Sequence, residues 1–350
     1  MTYPTPHLPH CCLLLLTFAC ASAFADPASD FRALCLEKST GAEKAGSAVI
    51  AGRDGWLFFD SELRHLGVGK FWGDAAAKVS RAQKPDQADP LPAILDFKRQ
   101  LDQAGIKLLV APVPAKASVY PHMLDARFSP EPRIDQSDRE FLELLARNGI
   151  AALDLVGPFL TDKDAAHGEL YCRQDTHWSG RACAIAASAI AVRIKELAPG
   201  LPSRLRLQSQ WRDIEITGDL WRDLPEPRPS REKLAVRFVG QSAPGGLQAV
   251  DDDESSPVVL LGDSHCLIFH DGQDMHSGGA GLADQLALEL GLAVDLVATR
   301  GSGATPARVN FARRARREGY LAGKKLVVWC FSVREFTESA GWAIVSVAGR

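Results

Sequence analysis

The sequence predicts an α/β fold: a mainly parallel β-sheet flanked by helices. Three observations carry this. Short continuous apolar runs, "KLLVAPVP", "PVVLLG" and "KKLVVWCF", have the pattern of strands buried on both faces. Segments with helical apolar spacing separate them, as in "LPAILDFKRQLDQAG", which ends on Gly105. This alternation runs on both sides of a proline-rich, charged interruption at residues 199–257.

Along the chain, "VIAGRDGWLFFDSEL" alternates turn and aromatic residues and predicts a hairpin with a Gly-rich corner. The helix ending at Gly105 leads into strand "KLLVAPVP", and a second helix around 136–148 leads into a second run, "IAALDLVG". From Ser179, "SGRACAIAASAIAVRIKEL" predicts a long helix capped by that serine. Residues 199–257 hold "RDLPEPRPSREK", "LAVRFVG" and "DDDESS" and are expected to be an insertion of loops and short strands. Then come strand "PVVLLG", a helix near 280–291, strand "AVDLVAT", basic helix "ARVNFARRARREG" and strand "KKLVVWCF". Short connections predict that these three strands are neighbours. The closing "WAIVSVAG" is expected to be an edge strand, and there are no internal repeats.

With 350 residues and 46% hydrophobic content, the chain can bury one large domain that carries an insertion. The first 25 residues hold no Lys, Arg, Asp or Glu, and the run "CCLLLLTFACASAFA" is too short for a comfortable membrane span. Ala23-Phe24-Ala25 fits a signal-peptide cleavage site before Asp26, so export to the periplasm is expected. Histidines without Lys or Arg at the terminus keep an uncleaved anchor open, and the bulky Phe18 argues against a lipoprotein site at Cys20. A net charge of -3 is too weak to imply a polyanionic partner, so no nucleic acid is expected. Of eight cysteines, Cys35, Cys172, Cys183, Cys266 and Cys330 lie beyond the signal. One or two disulfides with a leftover thiol are expected, Cys172 being the first candidate because it lies beside the "DTHW" segment. No cysteine pair has zinc-knuckle spacing, so no structural metal is expected.

Strand "PVVLLG" runs straight into "GDSHC", which presents Ser264 at the carboxyl edge of the sheet, where open α/β folds bind ligands. Gly262 permits the turn, and a following helix would aim N–H groups at a developing oxyanion. The bland reading is that Asp263 and Ser264 only cap that helix. The next strand ends in "TRGSGATP", where Gly303 allows a backbone N–H to approach a substrate oxygen, or simply makes an ordinary turn. In "QDTHWSG", Asp175 can hold His177 in the tautomer that accepts a proton from a serine. A D-x-H pair is weak alone; its value lies in the combination.

In this combination the chain resembles the SGNH hydrolases, whose blocks run in the order "GDS", "SGAT" and a third strand with a polar end. Here D-x-H precedes the nucleophile, which is similar to the circularly permuted arrangement of the periplasmic alginate O-acetyltransferases of the AlgX and AlgJ type. "GRDGWLFF", "VPAKASVYP", "DTHWS", "TGDL" and "VVWCFSVRE" resemble elements of that family in its order. The resemblance implies a flavodoxin-like, permuted SGNH fold over residues 26–350, without the carbohydrate-binding module of AlgX-type proteins. It implies Ser264 as nucleophile, His177 as base, Asp175 as its orienting partner and Gly303 as the second block. The third block normally holds an Asn; "FSVRE" stands there, with Ser332 or Arg334 as substitutes. The implied function is transfer of acetyl groups to hydroxyls of an exported polysaccharide through an acetyl-serine, with no cofactor. The implied partners are the polysaccharide acceptor, a membrane-bound acyl-donor protein and the export machinery.

Other readings of the same residues stand beside this one. A carbohydrate acetylesterase would use the same triad, with water as the acceptor. A non-catalytic assembly scaffold would carry it as a relic. Asp175, His177 and His265 could be metal ligands, although Ser264 then has no role. "ARRARREG" with Lys324 and Lys325 could bind an acidic polysaccharide or be a solvated helix face. Trp178 is expected to pack against the sheet, and His270 and His276 to be loop residues.

Overall fold

The computed structural model describes residue 1 and residues 26–131, 133–162 and 165–347. The segment read as a signal, with Cys11, Cys12 and Cys20, lies outside them. Asp26 caps the first helix, Pro27–Ala45, by accepting from the Ala28 N–H. The sequence reading did not anticipate this helix.

Among the described residues, ten strands form three sheets. β1 (Val49–Ala51) and β2 (Leu57–Phe59) pair antiparallel as the expected hairpin. β3 (Lys107–Val110), β4 (Ala151–Ala152), β8 (Val258–Gly262), β9 (Asp295–Ala298) and β10 (Leu326–Cys330) form a parallel sheet ordered β4-β3-β10-β8-β9. β5 (Gln208–Ile216), β6 (Glu232–Ala243) and β7 (Gly246–Gln248) form an antiparallel sheet of their own. The parallel sheet is the heart of the core: every residue of β8 and β10 is buried. Such strands need no alternation of apolar and polar residues, since helices cover both faces. Among these helices are Pro90–Gln103, Gly180–Leu197 and Thr305–Ala315. Ser179 caps the second of them through its hydroxyl, which accepts from the Ala182 N–H.

β8 lies between β10 and β9, so the three runs read as neighbours are consecutive in the sheet. Other expectations are corrected. The run "IAALDLVG" yields only the two-residue β4. "WAIVSVAG" forms no strand over its described residues 342–347; it packs Trp342 and Val347 into the core instead. The interruption at 199–257 carries strands of nine and twelve residues rather than short ones. In β5, exposed polar and charged side chains hide the strand pattern, while β6 extends the strand-like "LAVRFVG" on both sides.

The expected disulfide is absent: all five described cysteines are buried free thiols. They behave as small hydrophobes, among the most buried residue types. Cys330 lies within β10, and the Cys266 thiol is turned to the Cys330 carbonyl oxygen at 3.4 Å. Part of the basic stretch is held in ion pairs. Arg314 and Lys324 both pair with the buried Asp295, and Arg317 pairs with Glu254. Among the described residues, no helix is long and apolar enough to cross a membrane.

Candidate active site

The site is built at the carboxyl end of β8. Gly262 ends the strand because a Cβ there would stand 1.9 Å from the Cys330 carbonyl oxygen; close approach, not a special φ, demands glycine. The chain then makes a single 3-10 turn, Ser264–Cys266, rather than starting the expected helix. Asp263 clamps that turn. Its Oδ1 accepts from the His265 N–H at 2.9 Å and its Oδ2 from the Ser332 N–H at 2.7 Å. The β8 and β10 ends are thereby locked together. Burial pushes the Asp263 carboxyl up, but His265 and Arg334 outweigh this and hold it at about 2.

The "DTHW" segment reaches Ser264 from the far side. His177 Nε2 lies 2.7 Å from Ser264 Oγ, and His177 Nδ1 lies 2.6 Å from Asp175 Oδ1. With Nδ1–H donated to the carboxylate, Nε2 is left as the acceptor facing the hydroxyl. All three residues are buried, with Ser264 still 7% exposed. Burial pushes the Asp175 carboxyl up, but His177 and His276 more than offset it and hold it well below the usual carboxylate range. Burial pushes His177 down, and Asp175 outweighs this, so its pKa is raised above 6.5.

Several partners were not singled out from sequence. Asp219, in "TGDL", donates its N–H to Asp175 Oδ2 at 2.9 Å, while its carboxylate accepts from Thr176 N–H and hydroxyl at 2.7 and 2.5 Å. Lys116, in "VPAKASVYP", is fully buried and donates to the carbonyls of Asp175 at 2.6 Å and Leu57 at 2.7 Å. Both stretches belong to the resemblance, but nothing in either points to a role. His276, expected in a loop away from the site, donates from Nε2 to Asp175 Oδ2 at 3.0 Å. Trp178 is fully buried, as packing against the sheet requires, and its Nε1–H donates to the His265 carbonyl at 3.1 Å.

Gly303 sits against the Ser264 turn: a Cβ there would come within 2.4 Å of Phe331 Cβ and 3.2 Å of Asp263 Cβ. Among the described residues, neither its N–H nor that of Ser264 donates to another protein group. Ser332 stands apart from this pair. Its N–H is spent on Asp263, and its hydroxyl accepts from Arg334 Nη1 at 3.0 Å. The Arg334 guanidinium also lies 3.4 Å from Glu62 Oε1 and stacks over Phe59. It is close enough to push the His177 pKa down, against the larger effect of Asp175.

The metal reading falls on different atoms from those expected. His265 turns Nδ1 to Asp263 at 3.1 Å, away from any cluster with Asp175. Asp175, His177 and Asp219 do bring one ligand atom each within 4.8 Å of one another. Those atoms are already tied to one another and to Thr176 by hydrogen bonds, so the group reads as a hydrogen-bond network.

A parallel α/β sheet that presents a serine at the end of a central strand, facing a histidine and aspartate from a separate segment, defines an SGNH hydrolase-like domain. Residues 49–333 match the family described as "SGNH hydrolase-like domain, acetyltransferase AlgX", and the chain belongs to that family. It is similar to the probable alginate O-acetylases AlgJ of Pseudomonas aeruginosa, at 29% identity over 225 residues, and of Pseudomonas syringae, at 31% over 234. These matches take in 62% of this chain. The chain spans about half the length of these relatives, 52% and 54%. Its structure is similar to the O-acetyltransferase domain of Pseudomonas putida AlgJ, with a TM-score of 0.61 at 26% identity over 83% of this chain and 92% of that one. It shares the fold of Pseudomonas aeruginosa AlgX, with a TM-score of 0.56 at 16% identity over 81% and 62%.

Proposed function

We propose that this protein is an O-acetyltransferase that moves acetyl groups onto hydroxyls of an exported, alginate-like polysaccharide, with Ser264, His177 and Asp175 as its triad. The observation that carries this is the hydrogen-bonded line from Asp175 through His177 to Ser264, at 2.6 and 2.7 Å. Membership of an acetyltransferase family and likeness to alginate O-acetylases support the choice of transfer and of polymer.

In the first half-reaction, Ser264 Oγ bonds to the acetyl carbon as its proton passes to His177 Nε2. The donor's leaving group departs and takes that proton. In the second, an acceptor hydroxyl gives its proton to His177 and bonds to the acetyl carbon. The bond to Oγ breaks, and the proton returns to Ser264. Asp175 keeps the imidazole oriented and stabilises its charged form. The N–H groups of Ser264 and Gly303 would receive the developing oxyanion. Ser332, through its hydroxyl, and Arg334, through its guanidinium, are the third-block candidates, the Ser332 N–H being spent on Asp263.

We propose residues 26–350 as one such domain, with 199–257 as its insertion. Export through a cleaved signal would leave Asp26, the cap of the first helix, at the new terminus in the periplasm. The acetyl donor would come through a membrane-bound partner. The deciding experiment supplies the purified protein with an activated acetyl ester and uronic-acid oligosaccharides. Mass spectrometry then looks for an added acetyl. Acetate release with no acetylated sugar overturns transfer in favour of an esterase.

A further inference from the structure

Ser264 and His177 leave one feature of the site unexplained: a second imidazole on the carboxylate. Asp175 accepts four hydrogen bonds. Oδ1 takes the Nδ1–H of His177 and the His177 backbone N–H at 3.0 Å; Oδ2 takes the Asp219 N–H and His276 Nε2–H. These fill the acceptor sites of a carboxylate. Among the described residues, only His276 besides His177 reaches it with a side chain, and that side chain is 5% exposed.

The backbone that delivers His276 is unusual. The residue has φ 72 and ψ -47, and the Ser277 N–H donates across it to the Met275 carbonyl at 2.9 Å. This is a γ-turn of the positive-φ kind, which is rare and strained for a non-glycine residue. The loop is pinned by its own bonds, from Phe269 N–H to the Met275 carbonyl and from Gly272 N–H to the Ser277 carbonyl. Arg300, three residues before Gly303, pairs with Asp271 and Asp274 of the same loop. A strained residue held this firmly, with its donor on the catalytic carboxylate, is built for that contact.

We propose that His276 is a positioning residue for acyl transfer, fixing the plane of Asp175 and drawing off part of its negative charge so that His177 is less basic. This rests on the triad reading above. The charged or titratable groups about the pair are His177, Asp219 and Lys116 at Asp175, Arg334 beyond His177, and Asp271, Asp274 and Arg300 around the loop. Neutral or charged, His276 acts in one direction on His177, because a donor to Asp175 weakens its hold on an imidazolium.

The test compares His276→Ala, His276→Gln and Ser264→Ala in the whole protein, with 4-nitrophenyl acetate as substrate. His276→Ala should lower kcat about tenfold to hundredfold, the scale of a misplaced catalytic group. It should leave KM within about twofold, and the acid midpoint of kcat/KM should move to higher pH. His276→Gln keeps an N–H donor and should restore most of kcat. It also carries the test if the alanine variant does not fold. Wild-type kcat and pH profile in His276→Ala would overturn the proposal while an inactive Ser264→Ala leaves the triad standing. So would His276→Gln as impaired as the alanine variant, since the loop alone would then matter. Activity retained by Ser264→Ala would sink the triad reading and this proposal with it.

Discussion

His177 Nε2 stands 2.7 Å from Ser264 Oγ, although 87 positions separate the two in the chain. The sheet makes this possible. β8 carries Ser264 to its carboxyl edge, while the Lys116 ammonium, donating to the Asp175 carbonyl, and the Asp219 N–H, donating to the Asp175 carboxylate, hold that segment opposite it. The contact belongs to the fold rather than to either local segment.

Replacing either partner should therefore remove chemistry and spare structure. Ser264→Ala and His177→Ala should each lower turnover of an activated acetyl ester by about three orders of magnitude or more. Ser264→Ala loses one side-chain hydrogen bond of about 1 kcal/mol, so its melting temperature should fall by only a few degrees. His177→Ala loses two, to Ser264 and to Asp175, and its melting temperature should fall further while it still folds. Full activity in either variant would show that another group performs the attack.

Lys116 should behave in the opposite way. Its ammonium is fully buried between two carbonyls, and burial lowers its pKa against the pull of Glu62. Lys116→Met leaves the carbonyls of Leu57 and Asp175 without their donor, a loss of about 2 kcal/mol or more. Stability and activity should fall together, since the Asp175 main chain is released. A denaturant midpoint equal to wild type would refute this.

Gly303→Ala tests the closeness of the second block to the nucleophile turn. The new methyl would meet Phe331 Cβ at 2.4 Å, and that atom cannot swing away as the end of a flexible side chain could. Overpacking of this kind costs about 1–3 kcal/mol, and the shift would move the Gly303 N–H relative to Ser264. Reduced kcat with a lower melting temperature is expected. An unchanged variant would mean that Gly303 does not wall the site.

How much of this could be seen in the sequence depends on how local each signal is. β8 and β10 were legible because two-sided burial leaves unbroken apolar runs, and "GDSHC" and "DTHW" because function concentrates chemistry in a few adjacent residues. The strand β6 was legible only over "LAVRFVG", and β5 was not, since most of its side chains are exposed and polar or charged. Asp219 acts partly through its main-chain N–H, which no residue type advertises. His276 acts from a loop without periodicity, and Lys116 by reaching carbonyls far away in sequence. The disulfide expectation failed because residue count and compartment say nothing of where thiols point. Sheet packing takes up Cys330, and Cys266 is turned to its carbonyl oxygen. A thiol reagent should therefore find Cys35, Cys172, Cys183, Cys266 and Cys330 all reactive in the unreduced, denatured chain and protected in the native one. Missing thiols after denaturation would reveal a bridge.

The pH profile follows from the pull on His177. A general base must be neutral to accept the Ser264 proton, so activity falls as His177 gains a proton. Burial alone would disfavour the imidazolium and extend activity toward acid. The Asp175 carboxylate outweighs burial and raises the His177 pKa above 6.5, so the acid limb of kcat/KM on an activated ester should have its midpoint above that value. Asp175 itself stays ionised across this range, because its pKa is held well below the usual carboxylate value. It therefore adds no second limb near neutrality. Asp175→Asn removes the charge that holds the proton, leaving burial and the nearby Arg334 to push His177 down. The midpoint should move to lower pH, and the plateau rate should fall by orders of magnitude as the imidazole loses its oriented tautomer. A wild-type midpoint below 6.5, or an Asp175→Asn midpoint that stays where it was, would mean that Asp175 does not set the basicity of His177.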